Sequence, residues 1–252
     1  SAPRMAQAEA IAHHRMGLPR FQGRTVAVTG ASGSLGRALL LQLDAADAQL
    51  IALTSSDQPL LLERSSGEPV PLEQVRWSVG HEQDLNAVLA RTDILVVNHG
   101  LNCHGERSPE AIQRSLEVNA LSSWRLLELF AQQDDGSTPR EVWINTSEAE
   151  IQAAVSPLYE ISKRLQGQLL SLRSLDLARP SFRIRRLVLG PFRSALNPIG
   201  LMSADFVARE ILRQAHWDLG LVIVTPNPLT YVLMPLATLS RWAYFRLVSR
   251  GA

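Results

Sequence analysis

Cysteine is almost missing from this sequence: Cys103 stands alone. No intramolecular disulfide can form, which fits a reducing, cytoplasmic setting. An excess of charge of either sign is missing too. Lys and Arg total 25 against 24 Asp and Glu, a formal net charge of +1. That balance argues against a nucleic-acid binder held by electrostatics. Charged residues are 19% and hydrophobic ones 46%, so the chain is not of the disordered class. Residues 1–22 lack the apolar core of a secretory signal and read as an N-terminal arm. His13-His14 stand on that arm with no thiol or carboxylate cluster beside them, so no metal is expected there. No repeat of solenoid period is visible.

What the chain does hold is a glycine-rich stretch after a short apolar run. Arg24 to Arg37 reads Arg-Thr-Val-Ala-Val-Thr-Gly-Ala-Ser-Gly-Ser-Leu-Gly-Arg. Thr25 to Val28 is rich in β-branched residues, as a buried parallel strand is. Gly30, Gly33 and Gly36 follow at steps of three, then Leu35, Leu39 and Leu43 recur at steps of four on one helical face. Strand, glycine turn and helix together make a cradle for a diphosphate. Gly30 permits the sharp turn, Gly33 a close backbone approach and Gly36 close helix–sheet packing, while the helix N-terminus faces the anion. A glycine loop that merely starts a helix is the plainer alternative.

The rest of the chain alternates. Strands are expected at Leu50–Leu53, Val75–Val79, Ile94–Val97, Val142–Ile144, Ile184–Leu189 and Leu221–Val224. Helices are expected at Asp84–Ala90, at Pro109–Gln132, from the Ser156-Pro157 cap to Leu177, and from Ser203 to His216. Gln58–Glu73 is polar and Pro-interrupted, a surface connection with room for one helical turn. This pattern predicts a Rossmann-type, doubly wound α/β fold: a mainly parallel sheet of seven strands with helices on both faces. Residues 23–225 would form one nucleotide-binding catalytic domain.

The second strand ends in Thr54-Ser55-Ser56. In folds of this type an acidic residue here takes the ribose 2′-OH of NAD. The hydroxyls of Ser55 and Ser56 can instead donate to a 2′-phosphate, with Arg37 adding charge. NADP(H) is therefore the preferred cofactor and NAD(H) the second choice. Ser55-Ser56 as a plain loop cap is the rival reading.

Tyr159-Glu-Ile-Ser-Lys163 puts a phenol and an amine one helical turn apart on one face. A free tyrosine has a pKa of about 10. A nearby ammonium favours the phenolate and lowers that value. A tyrosine so tuned protonates a carbonyl oxygen, or deprotonates an alcohol, while hydride moves at carbon. Ser147 leaves a strand at its C-terminal end, where ligands of open α/β sheets bind, and its hydroxyl can hold the same substrate oxygen. A surface Tyr–Lys pair is the alternative. The order glycine turn, Asn98, Asn119, Ser147, Tyr159, Lys163 speaks against it.

In that order the chain resembles the short-chain dehydrogenase/reductase family from about Gly23 to Val224. Thr29-Gly30-Ala31-Ser32-Gly33-Ser34-Leu35-Gly36 is similar to the family's cofactor loop, and Asn98-His99-Gly100 to its Asn-Ala-Gly element beside the ribose. Asn119, Ser147, Tyr159 and Lys163 match its catalytic tetrad. The resemblance implies Tyr159 as acid/base and Ser147 as substrate orienter. Lys163 would hold the nicotinamide ribose and modify the tyrosine, and Asn119 would seat a water linking Lys163 to solvent. Ser78 and Val79 would lie by the adenine, and Gly190-Pro191-Phe192, with Leu189 alongside, at the nicotinamide end. A homodimer through the helices carrying Asn119 and Tyr159 is also implied.

The departures are specific. Glycine spacing is that of the family's extended branch, while Ser34 takes the small branch's middle-glycine position. His99 replaces a small residue. Trp77-Ser78-Val79 lacks the aspartate often found near the adenine. Ser147 sits one residue closer to the tyrosine than usual, leaving Thr146 as a minor rival. Glu148 and Glu150 have two readings: a substrate-facing pair favouring a polar or cationic group, or a solvated loop. Cys103-His104 reads as structural. The stretches Thr-Ser-Glu-Ala-Glu, Gly-Pro-Phe-Arg-Ser-Ala-Leu-Asn-Pro-Ile-Gly and Asn-Pro-Leu-Thr are similar to cyanobacterial members of the family that stand beside sterol-desaturase-like domains. No histidine-rich di-iron helix accompanies them here, and the resemblance implies only a lipophilic substrate.

Residues 226–252 form the tail. Leu219 to Ser240 carries no charge but is broken by Pro226, Pro228 and Pro235, so it is no spanning helix. Arg241, Arg246 and Arg250 then alternate with Trp242, Tyr244 and Phe245. An amphipathic helix is expected, buried against the domain or a second subunit, or lying on a membrane surface. The function expected is an NADP-preferring oxidoreductase for a small carbonyl/alcohol pair. A nucleotide-sensing or membrane-peripheral scaffold without turnover is the alternative.

Overall fold

The computed structural model describes residues 17–194, 197 and 199–251. Residues 1–16 of the expected arm, with His13-His14, lie outside the described residues, as do positions 195, 196 and 198 of the loop after Phe192. The strands are β1 (Thr25–Thr29), β2 (Gln49–Thr54), β3 (Glu73–Arg76), β4 (Ile94–Val97), β5 (Arg140–Asn145), β6 (Phe182–Leu189) and β7 (Leu221–Val224). The helices are α1 (Ser34–Ala45), α2 (Asn86–Ala90), α3 (Pro109–Leu116), α4 (Ser122–Gln132), α5 (Pro157–Leu177), α6 (Ala204–His216) and α7 (Thr230–Val248).

The strands form one seven-stranded sheet in the order β3-β2-β1-β4-β5-β6-β7, every pairing parallel. Side chains two apart on a strand share a face, and the two faces feed two cores. Val26, Val28, Ile94 and Val96 pack with Leu39 and Leu43 of α1 and Val207 and Ile211 of α6. Ala27, Leu53, Leu95 and Val97 pack with Leu127 and Phe130 of α4 and Leu170 of α5. Helices cover both faces, so the strands read as near-continuous apolar runs. This is the doubly wound α/β architecture. Strand order reverses between β1 and β4, so a crevice opens at their C-terminal ends.

Several boundaries differ from expectation. Gln58–Glu73 contains no helical turn. It closes instead through an antiparallel bridge, Glu63 to Pro69, and buries Leu60, Leu62 and Val70 over the first core. β3 stops at Arg76 because Trp77 turns its ring inward, 7% exposed. The helix expected at Asp84–Ala90 begins as a 3-10 turn, Glu82–Leu85. Pro109–Gln132 is not one regular helix: a π turn, Glu117–Leu121, separates α3 from α4 and carries Asn119. Such wide turns recur at functional sites. Phe21, within the expected arm, is fully buried edge-on to Trp143 at 5.7 Å.

Of the tail helix α7, only Thr230 and Met234 are buried. Among the described residues no helix is long and apolar enough to cross a membrane.

Gly36 fixes how closely α1 meets the glycine turn. A Cβ there would lie 2.2 Å from the Gly30 carbonyl oxygen and 2.8 Å from Ala31 Cα. Both neighbours are backbone, so neither can rotate away. Gly36→Ala should therefore lower stability by about 1–3 kcal/mol, read as a lower urea midpoint. An unchanged midpoint would show that α1 and the turn can part without cost.

Candidate active site

The cleft begins where β1 ends. Gly30 turns the chain with φ +61°, and a Cβ on it would come within 3.0 Å of His99 Cα. The next helix starts at Gly33 with no side chain capping it and no acid in its first turn. Its N–H groups are left to an anion. Beyond this cradle runs a cleft of about 1150 Å³. A dinucleotide fits this donor set: an uncapped helix N-terminus, a turn opened by Gly30 and Gly33, and room for a second molecule.

Most of the expected cofactor residues line the cleft: Gly30, Ser32, Gly33, Ser34 and Leu35 at one end, and Ser55, Ser78 and Val79 beyond them. Asn98, His99 and Gly100 lie in the middle, with Gly190, Pro191 and Phe192 at the far end. Gly36 and Ser56 do not line it. Ser56 bonds locally, its N–H to Thr54 Oγ1 at 3.1 Å and its Oγ to the Gln58 N–H at 3.1 Å. Arg37 Nη2 donates to the Leu61 carbonyl at 2.9 Å.

Ser147, Tyr159 and Lys163 meet at the cleft wall. Ser147 follows β5 and caps the 3-10 turn Glu148–Glu150 by accepting from Ala149 N–H at 3.1 Å. Tyr159 and Lys163 come from the first turns of α5. Sequence predicts Ser156 as the cap of that helix; it stands at the N-cap position, but its hydroxyl donates to the His104 carbonyl at 2.8 Å and not to the helix.

Lys163 is 4% exposed. Its Nζ donates to Asn145 O and Gln166 Oε1, both at 3.1 Å, and lies 5.7 Å from the centre of the Tyr159 ring. Burial pulls this amine down to about 8, opposed by the Glu150 charge. Burial pushes the Tyr159 phenol up, and a hydrogen bond with Ser147 pulls it back. The expected lowering by Lys163 is thus not what the geometry gives. The ammonium sits over the ring face, with two of its three donors engaged elsewhere.

Asn119 is fully buried and outside the cleft lining. Its Nδ2 donates to Leu101 O at 2.8 Å and Ser162 Oγ at 2.9 Å, and its Oδ1 accepts from Leu101 N–H at 2.7 Å. A chain of side chains runs from Lys163 toward it. Gln166 Nε2 donates to Ser123 Oγ at 3.1 Å, and Ser123 Oγ to the Asn119 carbonyl at 3.5 Å.

His99 stands at the centre of a second network. Its Nδ1 meets Thr29 Oγ1 at 2.9 Å and its Nε2 meets Ser122 Oγ at 3.2 Å. Ser122 donates to Glu82 Oε1 at 2.7 Å, and Arg125 pairs with the same carboxylate. Trp77 lies edge-on to the His99 ring at 5.2 Å. Burial first, then the Lys163 charge, hold His99 down at about 4. Burial alone would raise Glu82, but hydrogen bonds from Arg125, Ser122 and Gly80 hold it at about 2.

The two glutamates part company: Glu148 lines the cleft, whereas Glu150 does not. Glu148 Oε2 accepts from Thr225 and Thr230 hydroxyls at 2.8 Å each. Glu150 is buried and paired with Arg186 and Arg241. Cys103 is buried against Ala111. Sequence reasoning missed Gln166, Ser122, Ser123 and Glu82. It also passed over one signal: Lys163 is the only lysine in the chain.

The short chain dehydrogenase family matches residues 24–198. A monoglucosyldiacylglycerol epimerase from Synechocystis sp. is 42% identical over 233 residues, covering 91% of this chain and 56% of that protein. The chain therefore spans just over half the length of that relative. A short chain dehydrogenase from Burkholderia cenocepacia J2315, solved in complex with NADP, superposes with a TM-score of 0.72 at 19% identity, over 91% of this chain and 99% of the other. An NADPH-dependent 3-quinuclidinone reductase from Rhodotorula rubra superposes at 0.68 and 18% identity, over 81% and 90%. These two likenesses are of fold.

The His99 network predicts how acid acts on the fold. The folded pKa of about 4 lies below the ordinary 6.5, so unfolding takes up a proton between them. Stability is full above pH 6.5 and is lost as pH falls toward 4. Glu82 adds a further loss from 4.5 down to about 2. Urea midpoints across pH should show His99→Gln flattening the upper window while the lower one persists. A slope as steep as wild type between pH 6.5 and 4 would refute a neutral imidazole at His99.

Proposed function

We propose a function from one established fact: the chain belongs to the short-chain dehydrogenase family. It is an oxidoreductase of that family, which binds NAD(P). The finer reading is NADP(H) in the cleft, with hydride exchanged between nicotinamide and a carbonyl/alcohol carbon. When bound, the nicotinamide supplies hydride chemistry; the chain supplies everything else. Ser147 orients the substrate oxygen. Tyr159 carries the proton to or from that oxygen. Lys163, fixed by Asn145 and Gln166, steadies the ribose side. The observation that carries this reading is that Ser147, Tyr159 and Lys163 line one wall of the cleft that the glycine turn opens, with Lys163 Nζ 5.7 Å from the Tyr159 ring centre. Hydroxyls at Thr54 and Ser55, with no carboxylate among the cleft-lining residues there, support NADP over NAD.

The substrate we propose is a lipid-bearing alcohol. Val155, Ile199 and Leu201 line the cleft and stand exposed, an apolar rim that suits an acyl chain. The 42% identity to a monoglucosyldiacylglycerol epimerase favours a sugar hydroxyl on such a lipid. Epimerisation fits the same residues. Tyr159, as phenolate, would take the carbinol's hydroxyl proton and later return it, while hydride leaves the carbon for the bound nicotinamide and comes back from it to the opposite face of the ketone. No net oxidant is then consumed. The exposed apolar side chains of α7, Leu236, Leu239, Trp242 and Leu247 among them, would rest on the lipid surface that holds this substrate. A homodimer through α3, α4 and α5 is the assembly proposed with it.

Tyr159→Phe should cut turnover by roughly 10²- to 10⁴-fold while leaving NADPH affinity, measured by fluorescence titration, unchanged. The assay is conversion of a monoglucosyldiacylglycerol, or oxidation of NADPH by a carbonyl substrate. Nucleotide binding with no turnover by the wild-type chain would point to the sensing scaffold. Binding of neither nucleotide at millimolar concentration would remove the cofactor reading.

A further inference from the structure

The 3-10 turn after Ser147 ends on Glu150, whose side chain runs inward, away from the cleft. Glu150 is 2% exposed. Its Oε2 accepts from Arg186 Nη1 on β6 at 2.6 Å and from Arg241 Nη1 on α7 at 2.7 Å. Arg241 Nη2 also reaches the Glu150 carbonyl at 3.3 Å. The second oxygen, Oε1, is buried without a hydrogen-bond partner among the described residues. The carboxylate presses on α5 at Gly167, one turn beyond Lys163 on the same buried face. A Cβ at position 167 would fall 2.0 Å from Oε2, so that helix face is left bare to admit the charge.

We propose that Glu150 is a positioning residue for the Ser147–Tyr159–Lys163 site. Pinned between two arginines and α5, it holds the turn that presents Ser147 and supplies the negative charge that Lys163 lacks among its own hydrogen bonds. The inference rests on the reading of those three residues as the working site. The partners of the Lys163 ammonium are a carbonyl and an amide, both neutral. Burial disfavours its charge, and Glu150 opposes that burial. Other groups facing the pair are accounted for. Tyr159 lies beside Lys163 on α5, and His99 beyond β4 is held neutral. Arg186 and Arg241 share the Glu150 carboxylate, Glu148 is occupied by two threonines, and Glu82 is matched by Arg125. One anion thus serves three cations. Because one of them is Arg241, the tail helix enters the electrostatics of the site.

A single lysine makes the test direct. Protein labelled with 13C at the lysine ε-carbon gives one side-chain signal, which is Lys163. In the wild-type chain it should titrate near 8. Glu150→Gln leaves two arginines uncompensated, and the midpoint should fall by roughly one pH unit. A merely structural role predicts the reverse: a loosened site admits water and moves the midpoint up toward the solvated value of about 10.4. A midpoint that is unchanged or higher in E150Q overturns the proposal. Should E150Q not fold, Arg241→Met decides. Removing a competing cation should raise the midpoint while one cooperative unfolding transition is kept, at a lower urea midpoint because a tail contact is lost, and no rise overturns it. The titration reads charge and not turnover, so it succeeds or fails apart from the cofactor and substrate.

Discussion

One buried hydroxyl ties the two halves of the cleft floor together. Thr29 ends β1, and its Oγ1 accepts from the backbone N–H of Asn98 at 2.8 Å and of His99 at 3.2 Å. It also meets His99 Nδ1 at 2.9 Å. β1 and β4 are the strands between which the order reverses, so their ends are free to diverge. Thr29 stops them diverging. The assignment of protons follows: Ser122 gives its own to Glu82, so it accepts from His99 Nε2, and Nδ1 is left to accept from Thr29. A protonated ring has no acceptor to offer Thr29, whose hydroxyl would then be left with the Val96 carbonyl at 3.4 Å. The neutral state of His99 and the shape of the cofactor cleft are therefore one constraint, secured from below by the Glu82–Arg125 pair.

The fold was legible because its signals are local and repeated. Short β-branched runs bounded by glycine or polar turns marked each strand, and the alternation of strand and helix left one class of architecture. What was not legible lay where tertiary packing overrode pattern. Gln58–Glu73 looked polar and loose, yet Leu60, Leu62 and Val70 are spaced to cover α1. Pro109–Gln132 has helical spacing throughout, and nothing in it marks the extra residue of the π turn. That turn is stabilised from outside, where Asn119 bonds the Leu101 backbone.

Sequence spacing brought three members of the candidate site together, but Asn119 and Ser56 lie outside the cleft lining, and spacing did not give the site's electrostatics. Spacing placed Ser147, Tyr159 and Lys163 together, and the structure brings them to one wall. Spacing could not tell how deeply they sit. Burial reverses the expected sign at Tyr159 and lowers the Lys163 pKa to about 8, because desolvation grows with every helix packed behind the pair. The same holds for Glu148 and Glu150. Sequence offered solvent or substrate as partners, whereas the actual partners, Thr225, Thr230, Arg186 and Arg241, lie far along the chain and meet these acids only after folding.

The contacts of α7 bind the tail to the chemistry. This helix buries two side chains, so apolar burial alone is a weak reason for it to stay docked. Polar contacts compensate: Thr230 to Glu148 and Gln152, Asn227 to Gln152, Arg241 to Glu150. The domain-side partners in these four bonds all belong to the five residues after Ser147, and Tyr231 adds a bond to the Thr225 carbonyl at 3.2 Å. From residue 219 to the end there is no acidic residue, so the helix brings only positive charge to that loop. Its position and the presentation of Ser147 are therefore set by the same bonds. In the proposed setting, a lipid surface that takes up the exposed side of α7 would pull on the loop that orients substrate. An apolar helix held by hydrogen bonds and ion pairs can answer such a pull; one held by its own hydrophobic burial would have no apolar face left to offer.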